Sequence, residues 1–123
     1  MASHKQIVGR QGEQLASDYL RRQGYTIIAR NWRCPAGEID VVAREGEDLV
    51  FVEVRARRGL EFGTPEESIT ARKQSKLVEV AQTYLLMMDL QDVAWRIDVV
   101  AIQLGSRGEP TRLNHIRNAV EGK

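Results

Sequence analysis

The sequence predicts an α/β fold in which a mixed central sheet is flanked by helices. Three observations predict it. Its elements read in the order α-β-β-β-α-β, and a three-strand meander followed by a helix and a returning strand closes as a mixed sheet. The stretch "LVFVEVRAR" (49–57) is nearly continuously apolar over its first half, as a central strand covered on both faces must be. Both helical segments carry a single apolar stripe, which needs a sheet face to pack against.

Each element has its own justification. Residues 9–23, "GRQGEQLASDYLRRQ", place Leu15, Ala16, Tyr19 and Leu20 at helical spacing, and Gly24 closes the helix. "YTIIARNW" (25–32) has strand composition and "CPAG" turns the chain. "EIDVVAR" and "LVFVEVRAR" are strands joined by the turn "EGED" (45–48). The loop "RGLEFGTPEES" (58–68) follows, with Gly63, Thr64 and Pro65 near any substrate that the site takes. Thr70 caps a long helix ending near Met88, whose stripe is Leu77, Val80, Ala81, Tyr84, Leu85 and Met88. "AWRIDVVAIQL" (94–104) is the returning strand and "GSRGEP" a turn; the tail "TRLNHIRNAV" reads equally as strand or short helix.

Composition narrows the class. The 123 residues make one domain, 1–123, with a modest core, and 42% hydrophobic with 28% charged residues excludes a disordered chain. No apolar run approaches a membrane span, and "MASHKQIVGRQGEQ" lacks the apolar core of a secretion signal. A lone cysteine, Cys34, forms no internal disulfide, so a cytoplasmic location is expected. Net charge is +1, but 14 of the 18 basic residues are arginine, the side chain suited to bidentate phosphate contact. They cluster in "RARR" (55–58) and, with lysines, in "ARKQSK" (71–76). Trp32 and Trp95 border strands and read as packing residues, and His115 reads as a surface residue. Asp98, an acid inside a strand, is expected to pair with Arg96 or another base.

Asp40 and Glu53 are the anomaly. Both interrupt apolar strand runs, and pairing about the EGED turn with positions summing to about 93 sets them side by side. Like charges across a strand pair are destabilising unless a cation lies between them. If both face solvent, Arg55, on the same face as Glu53, neutralises them. If they face a covered site, a hard divalent cation on Asp40, Glu53 and the Val54 backbone carbonyl accounts for them, with open positions for a phosphate oxygen and a water. Arg55 would then hold the phosphate. Glu13 shares a stripe with Ala16 and Leu20, so it either borders that site or only favours its helix N-terminus.

"GEID", twelve residues, then "EVR" resembles the D…(D/E)-x-K motif of the PD-(D/E)xK nucleases. "GRQGEQLASDYLRRQGY", "ARNWRCPAGEIDVV", "LVFVEVRAR" and "RIDVVAI" together resemble, over nearly the whole chain, the YraN-like family of small bacterial endonuclease-like proteins. That family is similar to archaeal Holliday junction resolvases. The resemblance implies a restriction-endonuclease-like αβββαβ core and cleavage of DNA, including branched or structured DNA, with Mg²⁺ or Mn²⁺. It implies that Asp40 and Glu53 are metal ligands and Glu13 an accessory acid, and the two-fold resolvases suggest a homodimer. Glu38 reads as a solvated strand-start residue before a second acid of the site. Ile39 replaces the motif's proline, and Arg55 its lysine.

Arginine stays protonated, so Arg55 can clamp phosphate or stabilise transition-state charge but cannot take a proton. Lys73 or Lys76 could reach in, and Gln74, on the stripe of Leu77 and Ala81, is expected to face the site too. Arg55, Arg57, Arg58, Arg72, Lys73, Gln74 and Lys76 are the expected nucleic-acid contacts. A non-catalytic nucleic-acid-binding module that keeps the fold is the alternative, and an adaptor whose acids form an ion-pair network ranks third.

Overall fold

The computed structural model describes residues 3–59 and 63–120. In chain order these form α1 (His4–Arg22), β1 (Thr26–Cys34), β2 (Gly37–Glu45), β3 (Asp48–Arg58), a 3₁₀ turn (Glu66–Ser68), α2 (Ala71–Met87), β4 (Trp95–Leu104) and β5 (Pro110–Ile116). One five-stranded sheet runs in the order β1-β2-β3-β4-β5, antiparallel except for the parallel pair β3–β4. This is the mixed, helix-flanked architecture of a restriction-endonuclease-like core.

Period-two alternation divides the core. Val41, Ala43, Val50, Val52, Val100 and Ile102 pack with Ala16 and Leu20 of α1. Val42, Leu49, Phe51 and Ile97 pack with Leu77, Val80, Ala81 and Tyr84 of α2. β3 lies at the centre, with Val50, Phe51 and Val52 fully buried. Trp32 and Trp95 pack edge-on against Tyr84 and Phe51, as core aromatics do.

α1 begins five residues before the expected start. Ser3 accepts from the Gln6 N–H at 3.1 Å and the Gln6 side chain accepts from the Ser3 N–H at 2.9 Å, a capping box that the sequence signals as S-x-x-Q. Its other end is a Schellman closure: the Gly24 N–H donates to Arg21 and the Tyr25 N–H to Leu20, with Gly24 at φ 92°. Gly12 brings α1 onto β3, since a Cβ there would lie 2.6 Å from the Ala56 Cβ. Thr70 caps α2 by accepting from the Lys73 N–H at 3.3 Å.

Three expectations change. Met88 leaves the apolar stripe of α2, 46% exposed, because it is the cap residue beyond the last packed turn. The ambiguous tail is the edge strand β5, since pairing with β4 from Val99↔Ile116 to Leu104↔Pro110 satisfies its backbone. His115 is a buried residue, its side chain 5% exposed. Its ring bonds Asp98 at 2.8 Å and Tyr19 at 3.0 Å. A carboxylate only accepts, so Nε2 donates to Asp98, and Nδ1 bonds the Tyr19 hydroxyl. Arg96 donates to Asp98 at 2.9 Å, and the Asn118 N–H does so at 2.9 Å. This network lies at the β4–β5 edge, and no residue expected at the carboxylate site belongs to it.

Candidate active site

The site begins where β2 and β3 part. Their ladder runs from Glu45↔Asp48 to Val41↔Val52, and Asp40 against Glu53 would be the next rung. Instead the Asp40 carboxylate takes the place of a β2 carbonyl, accepting the Val54 N–H at 2.8 Å. Glu53 lies beside it on the central strand, 9% exposed, close enough to oppose ionisation of Asp40. Burial first, and then the neighbouring Glu53, push the Asp40 carboxyl well above the usual carboxylate range.

Cations stand against this pair. Arg55, two residues along β3, pairs with Glu53 at 3.0 Å, while its Nε is buried without a protein partner among the described residues. From α2, Lys73 and Lys76 line a small open cleft with Glu53, Arg55 and Glu38. Burial, then the adjacent Arg55, lower the Lys73 ammonium pKa, with Glu53 acting the other way. Lys76 also pairs with Glu79 at 3.5 Å on the exposed helix face, and Glu38 with Arg33 at 3.4 Å.

The other expected residues are placed less uniformly. Glu13 is raised by burial and by Asp40, with the nearby Asn31 side chain acting the other way. Arg57 and Arg58 line a separate groove that begins at Arg55, and Arg58 is held by the Ser106 carbonyl. Arg72 lies on the outer face of α2 with Lys73 and Lys76. Gln74 reaches back to the Ile69 carbonyl at 3.5 Å rather than into the cleft. Among the described residues no three His, Cys, Asp or Glu side chains stand together at ligand spacing. Of the loop residues, Gly63, Thr64 and Pro65 are described: the Thr64 N–H and hydroxyl bond Glu67 at 3.1 and 3.0 Å. Residues 60–62 lie outside the described part.

One residue escaped the sequence reading. Asn31 falls opposite Asp40 in the β1–β2 register, between Arg30↔Val41 and Trp32↔Ile39, and it adopts φ 53° within a strand. Asn tolerates that left-handed conformation better than other non-glycine residues. Its signal was present in "ARNW", a polar, turn-favouring residue among strand formers.

The donor set suits a hard cation. Every candidate ligand atom is oxygen, and two neighbouring carboxyl groups that oppose each other's ionisation without an ion could both ionise around one.

Comparison with known proteins adds a family. The profile of "Uncharacterised protein family UPF0102" matches residues 12–102. A UPF0102 protein of Roseiflexus castenholzii is 48% identical over 122 residues, 98% of each chain. One of Geobacter sulfurreducens is 46% identical over 118 residues, covering 96% of this chain and 91% of the relative. One of Chloroflexus aurantiacus is 53% identical over 103 residues, 83% of each.

Proposed function

The chain belongs to the uncharacterised protein family UPF0102, the YraN-like group, and from its geometry we propose that it is a metal-dependent endonuclease hydrolysing DNA phosphodiester bonds. The observation that carries this reading is the pair Asp40–Glu53: two carboxyl groups within hydrogen-bond reach at the parting of two central strands, with Arg55 and Lys73 against them. A pair left without counter-ion is costly, and the surrounding cations supply what a phosphodiester needs.

Asp40, Glu53 and the Val54 carbonyl would hold Mg²⁺ or Mn²⁺, with Glu13 on the acidic flank. Such an ion, when bound, supplies a water of lowered pKa and a Lewis acid for the phosphate. The Val54 N–H fixes one Asp40 oxygen and leaves the other free to ligate. Arg55 clamps the phosphate; its buried Nε, without a partner among the described residues, is a donor left for a phosphate oxygen. Its guanidinium stays charged, so it stabilises transition-state charge and moves no proton. Lys73 and Lys76 hold the phosphates on the α2 side of the cleft. On a two-fold DNA junction a homodimer would present two such sites. A cytoplasmic location fits DNA as substrate and the lone Cys34; no helix among the described residues is long and apolar enough to cross a membrane.

The test is single-turnover cleavage of branched and single-stranded DNA with Mg²⁺ or Mn²⁺, with EDTA as control. Cleavage by the parent, lost in EDTA, is expected. Arg55→Ala should lose about 10²–10³ in rate, the scale of a removed charge-stabilising donor. Arg55→Lys should retain part of the rate, having charge without the fork of donors. Salt-dependent DNA binding without cleavage would replace this reading with the non-catalytic module, which Arg55 in the lysine position favours.

A further inference from the structure

We infer that the groove between the first turns of α1 and the free edge of β3 takes the unpaired DNA strand that continues from the phosphate at Arg55, an inference that rests on the nuclease reading. β2 accompanies β3 only as far as Val52. Beyond it, among the described residues, β3 pairs with β4 alone. Odd residues of β3 turn their N–H toward β4, as Leu49 does to the Ala94 carbonyl, so the Ala56 N–H turns to the open side. A groove of about 310 Å³ lies along this edge.

Its lining is of two kinds. Val8 and Gly9 of α1 and Val54 and Ala56 of β3 are apolar; Lys5, Arg55, Arg57 and Arg58 are cationic, His4 completes the lining, and among the described residues none of it is acidic. Arg55 also lines the cleft of the carboxylate pair, so the groove starts at the candidate reacting centre. Cationic walls suit phosphates, and an apolar floor suits the faces of unpaired bases and sugars. A duplex keeps its bases stacked inside and would meet this floor with nothing.

Gly9 is the second, independent sign. Glycine inside a helix lowers stability relative to alanine. Gly12 has a packing reason, but a Cβ on Gly9 would meet nothing within 4 Å. Packing therefore does not require Gly9, and a side chain there would stand in the groove.

Three full-length proteins test this: parent, Gly9→Leu and Lys5→Gln. Binding is followed by fluorescence anisotropy in EDTA, where no cleavage enters, with a labelled single strand and the blunt duplex of the same sequence. The parent should prefer the single strand. Gly9→Leu should melt about 2–6 °C higher, by helix propensity, yet bind the single strand roughly tenfold or more weakly, as for one lost base contact. Lys5→Gln should weaken binding and reduce the salt slope by about 0.7, one phosphate on a single strand. If Gly9→Leu melts lower, Lys5→Gln alone decides. Unchanged single-strand affinity in both variants, equal affinity of the parent for duplex, or no binding by the parent overturns the groove. Unchanged binding beside Mg²⁺-dependent cleavage overturns the groove and leaves the nuclease reading standing. Weakened binding without any cleavage supports the groove and counts against the nuclease.

Discussion

Asp40 accepts a backbone donor, the Val54 N–H, that a continued ladder would have given to a β2 carbonyl. One side chain thereby ends a strand pairing, satisfies a buried donor and fixes its own carboxylate against Glu53. The bond is geometrically good and electrostatically costly, because burial and Glu53 both oppose the charged form of Asp40. Asp40→Asn should separate the two effects. The amide oxygen can still accept from Val54 while the amide nitrogen donates to Glu53. In EDTA near pH 8 the variant should be more stable than the parent, by on the order of 1 kcal/mol for relief of a like-charge pair. Added Mg²⁺ should raise the melting temperature of the parent by mass action and leave the variant unchanged. Thermal melts of both proteins with and without Mg²⁺ check this, and a less stable variant in EDTA would contradict it. Glu53→Gln is the poorer probe, since it also strips Arg55 of its partner.

Among the elements, α1 is positioned by a close approach rather than by large side chains. Gly12 faces Ala56 and Val54 on β3, and the next residue is Glu13, raised by burial and by Asp40. Gly12→Ala should therefore destabilise the protein despite alanine's higher helix propensity. The two Cβ atoms would stand 2.6 Å apart, both rigidly attached to backbone, so α1 must lift. Overpacking of this kind costs about 1–3 kcal/mol. Urea unfolding of the two proteins measures it; equal or greater stability of the variant would show that α1 adjusts freely. Gly9→Ala, one turn earlier without a packing partner, should move stability the other way, by about 0.5–1 kcal/mol.

Over the whole molecule, charge is divided between two ends of one sheet. The candidate site gathers cations around the adjacent acids Asp40 and Glu53, while the β4–β5 edge holds a fully paired network centred on buried Asp98. Burial alone would raise the Asp98 pKa, but the bonds from His115, Arg96 and the Asn118 N–H outweigh it and hold the carboxyl down at about 2. A depressed carboxyl contributes stability above its unfolded pKa, near the ordinary 3.8, and loses that contribution as pH falls toward about 2. Parent stability should thus decline between roughly pH 4 and pH 2. Asp98→Asn should have a flatter profile over that window. At neutral pH it should be less stable by about 3–5 kcal/mol, because Arg96 would lose its buried partner. Urea titrations at several pH values give both; parallel profiles would remove Asp98 as the source of the slope.

Periodicity alone determined the helices, the central strand and the register about the EGED turn, because each depends on neighbours within a few residues. The sum of 93 needs only the turn and the two-residue repeat, and the ladder follows it from Glu45↔Asp48 to Val41↔Val52. The acids in strand interiors were legible for the same reason: a carboxylate in "LVFVEV" contradicts its surroundings wherever the chain goes. The S-x-x-Q cap at Ser3 is local too, lying within four residues of chain. Only the tertiary structure decided that β2 departs from β3 at Asp40, that α2 carries Lys73 and Lys76 over Glu53, and that α1 lays Lys5 beside Arg57. It alone buried His115 between Tyr19 and Asp98 across 96 and 17 residues of chain. These are contacts between elements far apart in sequence, and they follow from how two helices seat on opposite faces of one twisted sheet, which no local pattern of residues encodes.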